Sequence, residues 1–223
     1  MNYHDDKWIM QRLKEHYGEA KKIFNENQIV GIFVQGSQNY NLDYKDSDLD
    51  SKLIVLPSFE DIILNKKAIS TTHIRKNEEH IDCKDIRVIF NTFKKQNINF
   101  LEILFTKYFV LNPYYEKEIL ELKKYKEDIA HWNNYAAVNC IAGASLEKYK
   151  ALEHPYPTIA DRIEKYGFDR KQLHHIIRFN EFIKRYIAGE PFEDCLISKK
   201  LLKKRSLISP LEYELLLNIS IHW

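Results

Sequence analysis

The spacing of apolar residues divides the chain into two stretches of different character. Over residues 6–25, Ile9, Leu13, Tyr17, Ala20 and Phe24 recur at three- and four-residue steps with Lys and Glu between them, which predicts a helix. Residues 28–35 form a short apolar run rich in β-branched side chains, a buried strand ended by Gly36-Ser37. A polar stretch leads to Asp48, and residues 49–56 read as a second strand closed by Pro57. A short helix over 59–64 and strands over 68–75 and 79–83 are expected next. From Lys84 the period lengthens: Ile86, Ile89, Phe90 and Phe93 share a helical face. Phe100, Leu101, Leu104 and Phe105 continue that pattern after a break at Gln96-Asn97. Beyond Pro113 no stretch reads as a strand, and residues 114–124, 130–150, 159–166, 171–188 and 210–221 all carry helical periodicity. His154-Pro155-Tyr156-Pro157 reads as a rigid turn. The expected fold is α/β (α+β): a small mixed sheet with helices over residues 1–112, then an all-helical domain over 113–223.

Composition adds little to this outline but removes several classes of function. At 223 residues, 44% hydrophobic and 30% charged, the chain is long enough and apolar enough for a packed core. The formal net charge of +2 supplies no global field to attract nucleic acid. The basic run Lys199, Lys200, Lys203, Lys204, Arg205 reads first as a solvated helix face. Cys83, Cys140 and Cys195 are odd in number and widely spaced, which suits neither a disulfide framework nor structural zinc. Residues 1–7 lack the apolar core of a signal peptide. The most apolar stretch, 100–110, is interrupted by Glu102 and Lys107 and is far short of the roughly 20 residues of a membrane span. A cytoplasmic protein with no membrane partner is the expectation.

The chemistry concentrates between Gly36 and Lys52. Asp48 and Asp50 open an apolar strand, and residues two apart in a strand point to one face, about 7 Å apart along the chain. Side by side, two carboxylates repel unless a divalent cation lies between them. Mg²⁺ suits such a pair, with phosphate and water completing its octahedron. Gly36-Ser37 is the complementary half: glycine lets the backbone approach a ligand closely, and the N–H groups and Ser37 hydroxyl that follow can bind phosphate. Taken separately, an Asp-Ser-Asp cluster is a turn or cap signal and Gly-Ser is common everywhere. Together, between two apolar strands, they point to a site.

The pattern Gly36-Ser37 followed by Ser47-Asp48-Leu49-Asp50 resembles the G-S…D-x-D motif of the DNA polymerase β nucleotidyltransferase superfamily. The fuller form G-S-x-x-Y-x-L…D-S-D-x-D is similar to the RNA-repair-associated polymerase-β-like predicted nucleotidyltransferases. Asp82-Cys83-Lys84-Asp85-Ile86-Arg87, Gln96-Asn97…Phe100-Leu101-Glu102-Ile103-Leu104 and Tyr166-Gly167-Phe168-Asp169-Arg170-Lys171…His174-His175…Arg178 resemble that family's later blocks, so the likeness spans most of residues 28–190. It implies transfer of a nucleotidyl group from an NTP, with Mg²⁺ or Mn²⁺ and release of pyrophosphate. Asp48 and Asp50 would hold the metals, and a third carboxylate on a later strand would help activate the acceptor hydroxyl. Asp82 is the first choice for that third carboxylate. In the competing reading Asp82 caps the helix from Lys84 and Asp85 lies in its first turn, which leaves Asp85 as the other candidate. Where family members commonly carry Arg, this chain has Lys52, which keeps the charge but loses the bidentate fork that would address phosphate.

In the helical half, Lys171, His174 and Arg178 fall at one-turn spacing opposite Leu173, Ile176, Ile177 and Ile183. They are either an ordinary solvated face or a nucleotide-binding stripe on a cleft that the helical domain closes; His175 is an alternative inward residue. No P-loop, dinucleotide-binding, zinc-protease or hydrolase-elbow pattern occurs. The acceptor is open: an RNA end is suggested by the resemblance, with a small molecule or a protein side chain as alternatives. From another class, a non-catalytic nucleotide- or RNA-binding module on this fold remains the rival reading.

Overall fold

The computed structural model describes residues 2–154 and 160–203. The helix expected over 210–221, the turn at Pro155-Tyr156-Pro157, and Lys204 and Arg205 of the basic run lie outside the described residues. Helix α1 (Asp6–Ile23) begins where Asp5 accepts a hydrogen bond from the Trp8 N–H. Strands β1 (Ile29–Gln35) and β2 (Asp50–Val55) follow, then α2 (Phe59–Ile63), started by a reciprocal Ser58/Asp61 capping box. Strands β3 (Ser70–Ile74) and β4 (His80–Asp85) precede α3 (Ile86–Lys94) and α4 (Ile98–Phe105). Strand β5 (Phe109–Leu111), α5 (Glu116–Lys124) and α6 (Lys126–Ala130) come next. The five strands form one mixed sheet in the order β3-β4-β2-β1-β5, in which only β2 and β4 run parallel. The fold is the expected mixed α/β class, with helices making up the described C-terminal part. No described helix is long and apolar enough to cross a membrane.

Strand β5 adds to the expected elements, since the helical pattern in the sequence ends at Phe105 and residues 106–112 carry no assignment. The helix ends before Thr106, as that pattern does, and Phe109, Val110 and Leu111 pair with Phe33, Ile32 and Gly31. Gly31 makes the close approach possible: a Cβ there would meet Leu111 Cδ2 at 2.7 Å. The chain divides into two compact units, Met1–Asn133 and Asn134–Trp223. The break therefore falls after Asn133 and not after residue 112, because α5 and α6 pack with α4 in the first unit. The second unit comprises α7 (Asn134–Ala151), α8 (Ala160–Tyr166), α9 (Arg170–Ile187), α10 (Phe192–Leu196) and α11 (Lys199–Lys203). Its centre is α9, packed against α7, α10 and α11, with Phe182, Tyr186 and Phe192 in mutual ring contact.

One face of the sheet is sealed by α1. Ile9, Leu13 and Ala20 pack on Ile29, Ile32, Val34, Leu49, Leu53, Val55, Ile81 and Cys83, all buried. A polar cluster sits inside this apolar layer. The ring of His16 lies between Ser51 Oγ (2.8 Å from Nδ1) and Glu79 Oε2 (2.9 Å from Nε2). The Glu79 carboxylate also accepts from Arg12 at 2.9 Å and pairs with Arg75. Burial alone would raise the pKa of Glu79, but hydrogen bonds from His16, Asn77 and Arg12 outweigh it and lower the value to about 2. The folded value is depressed, so this stabilisation is complete above the ordinary carboxylate range and disappears as pH falls towards 2. Denaturant unfolding of wild type between pH 5 and 2 should lose on the order of 3 kcal/mol more than Glu79→Gln loses over the same range. Parallel pH profiles for the two proteins would show that Glu79 does not carry this linkage.

Candidate active site

The pairing of β1 with β2 sets the geometry of the site. Gln35 is the partner of Asp50 at the end of the β1/β2 ladder, so the turn that follows β1 lies beside the segment that enters β2. That turn needs glycine: Gly36 has φ +91°, and the space where a Cβ would lie is open. A 3₁₀ turn over Ser37–Tyr40 follows. Leu49 is buried under α1, and the flanking Asp48 and Asp50 project away from it, Asp48 exposed and Asp50 half-buried. The Gly36-Ser37 turn and the backbone entering β2 are thus neighbours at this end of the ladder.

Two buried side chains grip the peptide between these carboxylates. Gln38 Nε2 donates to the Asp48 carbonyl at 2.7 Å, and the Leu49 N–H donates to Glu79 Oε1 at 3.4 Å. Asp50 is fixed by its neighbour on β4: Oδ1 accepts from the His80 backbone N–H at 3.1 Å and lies 3.0 Å from His80 Nδ1.

Asp82 shares a sheet face with Asp50, as expected of a third carboxylate, but sits one residue pair deeper, opposite Lys52 in the parallel ladder. Both of its oxygens are engaged. Oδ2 accepts from Lys52 Nζ at 2.6 Å, and Oδ1 lies 2.8 Å from Lys84 Nζ and accepts from Thr72 Oγ1 at 3.4 Å. Burial pushes Asp82 up, but the two lysines outweigh it and hold the carboxyl below its ordinary value. Lys52 does not present its charge to phosphate: it is 2% exposed, paired with Asp82, with its ammonium 4.0 Å from the Phe100 ring centre. The physical reason is register, since the strand position that follows Asp50 on this face lies inside the sheet and not at its edge. Asp85 is the N-cap of α3, accepting from the Arg87 N–H, and is fully buried with the Arg87 guanidinium on it. The capping role weighed for Asp82 therefore belongs to Asp85, and Asp82 stands within β4.

The Gly36 N–H donates to Glu102 Oε1 at 3.4 Å, and Ser37 Oγ donates to Gln38 Oε1 at 3.4 Å. Helix α4 thus brings a carboxylate to the backbone at the start of the turn. In the second unit the expected stripe splits. Lys171 and His174 are exposed, whereas Arg178 is 3% exposed with its guanidinium 4.8 Å from the Phe179 ring centre. His175 is half-buried and its pKa is pushed down to about 3, by burial first and then by Arg178, Lys148 and Lys171. The neighbours missed from sequence are Gln38, Glu79 and His80; only adjacency to the motif, for Gln38, could have signalled any of them.

Among the described residues no group of three or more His, Cys, Asp or Glu is arranged to hold a metal ion, so the three expected carboxylates are not gathered as one set. Asp48 and Asp50 nevertheless fit the donor set of Mg²⁺, which uses one or two carboxylates together with phosphate and water. Set beside known proteins, the chain matches no family model and no curated protein. The Lys52–Asp82 pair can be tested through stability. Lys52→Met should cost about 2 kcal/mol in denaturant unfolding, because it removes one of the two ammonium groups on a half-buried carboxylate that keeps Lys84, and adding Asp82→Asn should restore much of the loss. If Lys52→Met matched wild type, the pair would contribute nothing to the fold.

Proposed function

We propose that the chain is a metal-dependent nucleotidyltransferase that moves a nucleotidyl group from an NTP to an acceptor, with release of pyrophosphate. The polymerase-β-like sequence pattern supplies the reaction class, and with it the suggestion of an RNA end as acceptor. The observation that carries the reading is the Gln35/Asp50 pairing, which sets the Gly36-Ser37 turn against the Asp48/Asp50 carboxylates at one end of the sheet. A divalent cation, when bound, supplies charge neutralisation for the triphosphate and the leaving pyrophosphate. Asp48 and Asp50 are the residues that would hold it. His80 keeps Asp50 in place through its backbone N–H and ring. Asp82 is the carboxylate on the same face that would accept the acceptor's proton.

A second reading, a non-catalytic nucleotide- or RNA-binding module, draws support from the lysine pairing of Asp82. A carboxylate held below its ordinary pKa by two ammonium groups is a weak base. One experiment separates the two. Wild type is incubated with each α-labelled NTP, Mg²⁺ or Mn²⁺ and a panel of RNA ends, small alcohols and proteins, while pyrophosphate release is followed. Transfer should occur for at least one pair, and Asp48→Asn or Asp50→Asn should lower it by about a hundredfold or more without loss of fold. Both variants should unfold at slightly higher temperature than wild type in EDTA, because repulsion is relieved. NTP or RNA binding without transfer by any pair would favour the binding module.

A further inference from the structure

We infer that Gln38 is a positioning residue for the Asp48/Asp50 pair; this rests on the reading that the pair holds a divalent cation. The chain reaches Asp48 through Tyr44, Lys45 and Asp46, all exposed, and a turn closed by the Ser47 N–H on the Tyr44 carbonyl at 2.9 Å. Such a segment has little packing of its own to fix the carboxylate that follows it. Asp50 is anchored inside the ladder and on His80, but Asp48 lies before the strand begins. What fixes Asp48 is the peptide joining it to Leu49. Its carbonyl accepts from Gln38 Nε2 at 2.7 Å, while its N–H is directed at Glu79 Oε1 at 3.4 Å. The shorter contact is the one to Gln38, and rotation of this peptide would swing Asp48 relative to Asp50.

Gln38 is itself built into the turn. It is 2% exposed, and burying a primary amide is costly unless its bonds are made. Ser37 Oγ donates to its Oε1, which turns the NH₂ end towards Asp48, and Asn2 Nδ2 donates to its backbone carbonyl at 2.9 Å. The next residue is locked as well: Asn39 Nδ2 donates to the Val34 carbonyl at 2.8 Å, and Asn39 Oδ1 accepts from Thr106 Oγ1 at 2.6 Å. The amide is therefore delivered from a rigid base to one mobile carbonyl. It makes the Gly36-Ser37 turn and the Asp48 carboxylate a single construction, so that the spacing of the two carboxylates is set by the turn.

Mg²⁺ demands near-ideal octahedral geometry, whereas Ca²⁺ tolerates flexible sites. A positioning role therefore predicts a loss of discrimination as well as of affinity. Mn²⁺ binding to the full chain is measured by electron paramagnetic resonance without nucleotide, and Mg²⁺ and Ca²⁺ are measured by competition. Gln38→Met removes the donor at constant length, and Gln38→Asn keeps the amide but shortens its reach. Each should weaken Mn²⁺ and Mg²⁺ by about threefold to tenfold, the range expected for one hydrogen bond, and Ca²⁺ by less. Unfolding in EDTA identifies which variants are folded, and one folded variant suffices. Wild-type affinities and an unchanged Mg²⁺/Ca²⁺ ratio in a folded variant would overturn the role of Gln38 while leaving the metal site intact. A wild type that binds no Mn²⁺, or that binds it equally well as Asp48→Asn/Asp50→Asn, would overturn the metal reading and this inference with it.

Discussion

A single buried carboxylate, that of Glu79, joins the parts of the first unit that sequence separates. It sits at the entrance to β4, yet it accepts from Arg12 on α1, pairs with Arg75 beyond β3, touches the His16 ring, and receives the backbone N–H of Leu49 ahead of β2. An unpaired carboxylate in this layer would face a desolvation cost of several kcal/mol, so each partner is obligatory in its place. The constraint runs in both directions. Helix α1 can lie on the sheet only at the rotation that brings Arg12 and His16 to Glu79. The β2 strand can enter only in the register that brings Ser51 to His16 and Leu49 to Glu79. A one-residue slip of β2 would send Ser51 and Leu49 to the opposite face and take from His16 and Glu79 the partners they have there.

That register also explains how the candidate site divides. Position 50 falls at the edge of the sheet, where a carboxylate keeps contact with solvent. Position 52 on the same face falls inside, where the Lys52 ammonium is paired with Asp82 and lies over the Phe100 ring. Depth along two parallel strands therefore assigns different tasks to carboxylates that look alike in sequence. The outer ones, Asp48 and Asp50, are held through backbone contacts, with only His80 near an oxygen. The inner one is held by two ammonium groups.

Much of this architecture is legible in the order of residues, and the exceptions have physical causes. The strands at Ile29–Gln35 and Asp50–Val55, and the helices at Asp6–Ile23 and Ile86–Lys94, announce themselves because each buries a continuous stripe whose period survives in one dimension. Strand β5 does not, since three residues are too few to show a period and follow directly on a helix of similar composition. The Gly36-Ser37 and Asp48/Asp50 halves of the site could be read as a pair because they are local motifs flanking apolar runs. The tasks of Lys52, Gln38, Glu79 and Arg178 could not be, since each depends on a partner or a depth set by tertiary packing. For Arg178, the three- and four-residue steps from Lys171 through His174 placed it on a polar stripe, but α9 is covered on more of its circumference than a surface helix and takes the guanidinium inside.

Charge balance gives the strongest physical argument about where a cation would bind. Around Asp82 the protein supplies two ammonium groups for one carboxylate, so a further cation would meet net repulsion there. At the edge of the sheet the sum has the opposite sign. Asp48 and Asp50, two carboxylates separated by one residue, repel each other wherever no opposite charge lies between them. Among the described residues no lysine or arginine is paired with either of them, although such residues lie on Glu79, Asp82 and Asp85. The fold instead holds the Asp48–Leu49 peptide through Gln38 and Glu79, and the Asp50 carboxylate through the His80 N–H. Two like charges held close in sequence destabilise an isolated chain, and a cation placed between them would relieve that cost.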